Sequence, residues 1–286
     1  MQKTMRVAAH GVLTDSQGRM LLRSDAGTLQ LPGGTVEHGE QPAEAVVREF
    51  FDQTGLEVKP IRATRASAAT VELTADHSEH NTLIRYQVEL TGGEPRSGLR
   101  RLPLSEIEER SADPITAALL DLDGATAASP YPRSDLKPGQ VQRVGVYAWI
   151  TDPAGRVLIT LISEGFPAAG KWHLPGGGLD FGEQPPESLL REIVEETSQD
   201  AELRGLRNVD ARHNRKAAGR DGTREDFHGI HIVYDAVVAE PKPLEILDVG
   251  GSTAEARWMH LDELLSLPIT PAVEAALSGL RHTTDG

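Results

Sequence analysis

The chain has no cysteine among its 286 residues. That absence excludes disulfides, thiolate metal sites and a cysteine nucleophile together, and leaves the redox compartment open. Nor is there a run of about 18 apolar residues, the length a membrane-crossing helix requires. The opening stretch Met1-Gln2-Lys3-Thr4-Met5-Arg6 lacks an apolar signal core and moves straight into a strand-like pattern, so a cytoplasmic location is the expectation and a membrane partner is not. Positive charge is also scarce: 29 Lys and Arg stand against 43 Asp and Glu, a formal net charge of -14. Such a field repels a long polyanion, and no helix-turn-helix pattern offsets it, so duplex nucleic acid is not an expected partner. No P-loop-type basic cradle is present either. A small anionic substrate remains compatible where a divalent cation bridges it to carboxylates.

What the chain does contain is enough for packed cores. The hydrophobic set makes up 38%, with 28 glycines, close to the globular norm, and the length fits two domains of ordinary size. The sequence also repeats itself, and a repeat decides the architecture. Arg6 to Leu22, a strand, a turn at Asp15 to Gly18 and a second strand, matches Arg143 to Ile159 with its turn at Asp152 to Gly155. Leu31-Pro32-Gly33-Gly34 returns as Leu174-Pro175-Gly176-Gly177, and Gly39 to Pro42 returns as Gly182 to Pro185. Arg48-Glu49 matches Arg191-Glu192, and Pro114-Ile115-Thr116 matches Pro268-Ile269-Thr270. Between the copies, Gly124 to Gln140 is rich in Ala, Ser, Pro and Gly without apolar period, as linkers are. The division is a first domain over 1–125, a linker over 126–140 and a second domain over 141–286. Each copy reads as strand, strand, glycine loop, helix, further strands such as Thr82 to Leu90 and Gly229 to Val238, then a last helix, an α/β layer arrangement.

In the second copy the helix after the glycine loop is predicted to start near Pro185, since proline suits the first helical position, and to run to about Thr197. A helical projection gathers Glu192, Glu195 and Glu196 on one face, with Leu189, Leu190, Ile193 and Val194 expected opposite. Neighbouring carboxylates repel one another, and a divalent cation with a preference for oxygen ligands removes that cost. The alternative is a solvated acidic face. Context decides against it: from Gly177 the string G-G-L-D-F-G-E-Q-P-P-E-S-L-L-R-E-I-V-E-E-T-S resembles the Nudix box, with Gly177, Glu183, Arg191, Glu192, Ile193, Glu195 and Glu196 in register. Ser198 and Gln199 depart from the glycine and aliphatic residue of that pattern, which puts the helix exit in question more than the acidic cluster.

The resemblance implies two tandem Nudix-fold domains, each a mixed β-sheet sandwiched by helices. It implies a hydrolase of the MutT-like kind that cleaves a diphosphate linkage in a nucleoside triphosphate or related nucleoside diphosphate derivative, using Mg²⁺ or Mn²⁺. Carried over residue by residue, Glu192, Glu195 and Glu196 are the metal ligands, with the Gly177 carbonyl as a further one, and Arg191 pairs with Glu183 or Glu195. Glu196 is the first choice of base, and the loop alternative is Glu225 or Asp226 in the segment Arg220 to Phe227. Arg212, Arg215, Lys216 and Arg224 form a basic cluster that reads either as a phosphate contact or as solvated loop charge. Trp172 reads either as a base-stacking residue or, preferably, as core.

The first copy keeps Gly34, Glu40, Arg48 and Glu49 but reads Asp52-Gln53 where the second has Glu195-Glu196. It is expected to fold without metal chemistry, a weakly active site with a different ligand set being the rival, and to pair with the second domain as one protomer of a dimer pairs with another; a homodimer of the whole chain is a further assembly to test. A non-catalytic Nudix-fold sensor of nucleotide derivatives is the competing function, and the intact second box argues against it. The isoprenoid isomerases of this fold need a cysteine that the chain lacks.

Overall fold

The computed structural model describes residues 2–25, 27–107, 112–122, 136–218 and 224–278. The greater part of the expected linker, 126–135, and Arg220 of the basic segment lie outside the described residues.

The first half contains β1 (Gln2–Leu13), β2 (Met20–Asp25), β3 (Thr28–Gln30), β4 (Gly33–Thr35), α1 (Pro42–Thr54), β5 (Leu56–Thr74), β6 (His77–Gly93), β7 (Leu99–Leu102) and α2 (Pro114–Leu120). The second repeats the plan with β8 (Gln140–Thr151), β9 (Val157–Ile162), β10 (Trp172–His173), β11 (Gly176–Gly178), α3 (Pro185–Thr197), β12 (Glu202–Ala218), β13 (Arg224–Val237), β14 (Thr253–Met259), α4 (Leu261–Leu264) and α5 (Pro271–Ser278). β1 pairs parallel with β6 and antiparallel with β4, and β5 pairs antiparallel with β6. β8 does the same with β13 and β11, and β12 with β13. The repeat extends to single hydrogen bonds. Asp15 Oδ1 accepts from the amides of Gln17 and Arg19 at 2.9 and 3.0 Å, and Asp152 Oδ1 from those of Ala154 and Arg156 at 3.0 and 2.8 Å.

Each sheet is covered on both faces. The α2 side of the first holds Leu22, Leu83, Ile115 and Leu119, and the α5 side of the second holds Trp149, Ile159, Trp172 and Val273. The other faces meet in one shared cluster, in which Val46 and Phe50 of α1 join Val7 and Ile84 while Leu189 and Ile193 of α3 join Val146 and Ile232. Burying each such side chain contributes roughly 1.5–3 kcal/mol, so the two halves stabilise each other.

The junction is near two-fold. Gln41, preceding α1, donates from Nε2 to Ala211 O at 2.7 Å and accepts from Ala211 N at 2.8 Å. Gln184, preceding α3, donates to Ala68 O at 2.6 Å and accepts from Ala68 N at 2.9 Å. Each glutamine thereby satisfies a backbone amide and carbonyl of the other domain's long hairpin.

Two expectations need correction. Arg212, Arg215, Lys216 and Arg224 to Phe227 belong to the paired strands β12 and β13, not to a loop: ladder hydrogen bonding carries both strands well beyond their apolar alternation. On α3, Leu190 and Val194 are exposed, whereas Glu196 is buried beside Leu189 and Ile193. At about 100° per residue, position 196 lies only about 20° from position 189, so Glu196 falls inside the packed arc.

Candidate functional site

α3 begins with Pro185 behind Gln184 and ends at Ser198, which takes the left-handed conformation at φ 56° with its amide bonded to Val194 O. Serine thus makes the turn that glycine makes at Gly55 in the first domain (φ 73°), helped by its hydroxyl donating to Glu245 O at 3.0 Å. Gln199 is fully buried and satisfied by backbone groups of Thr197 and Lys242. The departures at the helix exit therefore leave the helix intact.

The helix presents its carboxylates to the glycine loop. A Cβ built on Gly177 would lie 2.6 Å from Glu192 Cδ, so the Glu192 carboxylate occupies space that any side chain there would fill. Arg191 gathers the rest, donating from Nε to Glu183 Oε1, and from Nη1 to Glu192 Oε1 and Glu195 Oε2, all at 3.0 Å. Glu183 Oε2 also accepts from Asp180 N at 3.1 Å, which holds the loop. Glu196 is 5% exposed and turns into the loop, accepting from Gly176 N at 2.9 Å and Thr253 Oγ1 at 2.5 Å. Burial pushes its carboxyl up to about 7, with Glu192 and Asp248 adding to the effect and the two hydrogen bonds opposing it. Burial likewise raises the Glu192 carboxyl, while Arg191 works against that rise.

The first domain shows what changes when the acids are lost. Arg48 binds Glu40 at 2.8 Å and Glu49 at 2.6 Å, as Arg191 does its partners, and Gly34 sits against Glu49 as Gly177 does against Glu192. Gln53, in the place of Glu196, accepts from Gly33 N at 3.2 Å. Its amide nitrogen then donates to Gly33 O at 2.8 Å and Glu49 Oε2 at 2.9 Å. Gln53 thus sets a neutral N–H donor between the loop carbonyl and Glu49. Asp52 is exposed, and its backbone carbonyl accepts from Arg96.

The remaining sequence-named residues do not join this cluster. Trp172 is core, packed with Leu174 and Val273 and covered by Arg257, with no free stacking face. Arg212 bonds Asp210 and Pro271 O, and Arg215, Lys216 and Arg224 are exposed along the hairpin. Glu225 and Asp226 lie far along the sheet: Asp226 pairs with Gln140 and Gly177 with Val146 on the same strand β8. Six residues of strand separate those positions by roughly 20 Å, which removes both loop acids as bases for the α3 cluster. Asp226 instead meets His213 and His38 of the first domain. Sequence reasoning missed Thr253, the first residue of β14, and Asp248 in the segment before it, where the amides of Leu247 and Asp248 cap Glu195 O at 2.7 and 3.2 Å.

A family model described as NUDIX domain matches residues 4–132 and again 141–278. A "MutT-like protein" of Streptomyces ambofaciens is 32% identical over 42% of this chain and 78% of its own length. The "Nucleoside triphosphatase NudI" of an Enterobacter species is 31% identical over 45% of this chain and 95% of its own. Among solved structures, the MutT protein of Methanosarcina mazei is 21% identical with a TM-score of 0.43, covering 52% of this chain and all of that one. With two domain matches that between them span most of the sequence, each holding its own glycine loop, acidic helix and sheet, the chain belongs to the Nudix hydrolase family.

Proposed function

We propose that the second domain hydrolyses a diphosphate linkage in a nucleoside triphosphate or a related nucleoside diphosphate derivative, with Mg²⁺ or Mn²⁺ as cofactor. The observation that carries this reading is Glu196. It is a nearly fully buried carboxylate beside Glu192 and Asp248 whose hydrogen-bond partners are an amide and a hydroxyl, not a cation. Burying a carboxylate among like charges is costly, and a divalent ion offsets that cost. The donor set fits: Glu192, Glu195 and Glu196 offer carboxylate oxygens, Gly177 a carbonyl, and the partly exposed Glu195 can turn from Arg191 toward the loop. When bound, the ion neutralises pyrophosphate oxygens and lowers the pKa of a coordinated water.

The chain's own residues do the rest. Glu196 accepts a proton from the attacking water. Arg191 fixes the orientation of Glu192 and Glu195 while bracing Glu183, which holds the loop. The first domain, with the Gln53 side-chain amide hydrogen-bonded across its cluster, supplies packing rather than chemistry. The relative described as a nucleoside triphosphatase favours a nucleoside triphosphate as substrate. The test is a panel of nucleoside triphosphates, dinucleoside polyphosphates, nucleotide sugars and ADP-ribose with Mg²⁺. Turnover of a panel member that vanishes in EDTA and returns with added Mg²⁺ is expected. Full activity in excess EDTA, or none on any member, overturns the proposal.

A further inference from the structure

We propose that His38, His213 and Asp226 form a second, transition-metal site that ties the two domains together, with zinc the ion best suited to it. His38 lies in the first domain's loop between β4 and α1, while His213 and Asp226 lie on β12 and β13 of the second. One ligand atom from each lies within 4.8 Å of the others. His213 Nε2 is 2.6 Å from Asp226 Oδ1, and His38 Nε2 is 3.3 Å from Asp226 Oδ2. A metal drawn between these atoms replaces the imidazole–carboxylate contacts with shorter bonds of about 2.0–2.2 Å.

Three further observations point to a ligand. First, the His38 side chain is 8% exposed, yet neither ring nitrogen makes a hydrogen bond of proper geometry; Nδ1 has no polar partner among the described residues. Buried polar groups are ordinarily satisfied, so an unsatisfied imidazole aimed at a histidine and a carboxylate is the arrangement of a ligand position. Second, the donor set is two imidazoles and one carboxylate, a set that suits zinc and its neighbours, whereas magnesium prefers oxygen alone. Fully buried His228 backs the cluster, its ring centroid 5.4 Å from that of His38.

Third, the fold does not require these residue types. At the equivalent place on the other side of the near two-fold junction, Phe181 stands for His38. The strand registers put Thr70 opposite His80 as His213 is opposite His228, and place Ser78 where Asp226 stands. There the ring of Phe181 packs 5.5 Å from His80, and Thr70 Oγ1 lies 2.8 Å from His80 Nδ1. One junction is closed by apolar packing and a hydroxyl; the other carries donors from both domains.

The test uses the full chain without a histidine tag, in a Glu192→Gln, Glu196→Gln background that disables the α3 cluster. Zinc titration by calorimetry and the visible absorption of Co²⁺ report the site directly. One equivalent of Zn²⁺ per chain, tetrahedral Co²⁺ bands and a rise in melting temperature on adding ZnCl₂ are expected. His38→Phe and His213→Thr copy residues the fold already accepts at the equivalent positions, so both are expected to stay folded in EDTA and to weaken zinc binding about a hundredfold. Absence of binding in the parent, or zinc affinity unchanged in both substitutions, overturns the proposal. Because the α3 cluster is disabled throughout, neither outcome bears on the hydrolase reading.

Discussion

Glu196 is where one side chain has most to decide. Glu196→Gln preserves shape, and Gln53 shows that glutamine at this place keeps the bond to the loop amide, so the variant is expected to fold. Turnover is expected to drop by at least about 10²-fold, because a metal-ligand charge and the proton acceptor go together; activity within threefold of the parent on any substrate would remove Glu196 from the mechanism. The same residue sets a pH dependence. Its carboxyl ionises at 4.5 in the unfolded chain and at about 7 in the fold. Between those values the unfolded chain releases a proton that the folded chain keeps, so metal-free stability falls as pH rises through that window and levels off above it. Thermal melts of metal-free protein are expected to show the advantage of the parent over Glu196→Gln shrinking across this range, and Mg²⁺ binding tightening as the proton leaves. A constant difference from pH 5 to 8 would contradict the shift. The acidic triplet was legible from spacing, and the same helical period places position 196 beside buried Leu189. The partner that the buried carboxylate meets, Thr253, lies 57 residues away, and no local pattern signals it.

Among the elements, α1 and α3 were readable because their starts and periods are local: Pro42 and Pro185 fix the first turns, and apolar spacing fixes the rest. The hairpins β5–β6 and β12–β13 were under-read because their distal halves are held by ladder bonds and by the other domain, not by alternation. The two glutamines show this most directly. In sequence Gln41 and Gln184 look like ordinary residues before a helix, yet each bonds both backbone groups of an alanine across the junction. Replacing either with alanine leaves a backbone amide and carbonyl without that partner, at a cost of about 1–3 kcal/mol. Urea denaturation of Gln41→Ala, Gln184→Ala and the double variant measures it. Each single change is expected to lower the midpoint, and equal losses from both would confirm the two-fold character of the junction. Unchanged midpoints would mean that water replaces the glutamine at no cost.

At the scale of the molecule, a chain with one full acidic triplet retains a second complete domain, and the packing gives the reason. Val46 and Phe50 on one side and Leu189 and Ile193 on the other belong to a single apolar cluster, and β12 of the second domain packs against β5 of the first. Each half closes a core of its own on one face of its sheet, but the other faces meet in the cluster that both halves share. Deleting residues 1 to 125 therefore uncovers the apolar face that α1 and β5 now cover, and the remaining half is expected to aggregate or to melt well below the full chain. Glu49→Gln in the full chain is the matching control, because it alters the first domain's acidic cluster while leaving the shared core untouched. Turnover within about twofold of the parent is expected for Glu49→Gln, measured beside the melting temperature and turnover of the truncated chain. Were Glu49→Gln to abolish turnover, the chemistry would belong to the first domain, and a truncated chain that stayed soluble and fully active would show that the second half needs no such cover. With neither result, the first domain's contribution is the surface it covers, while Gln53 bridges the loop carbonyl and Glu49.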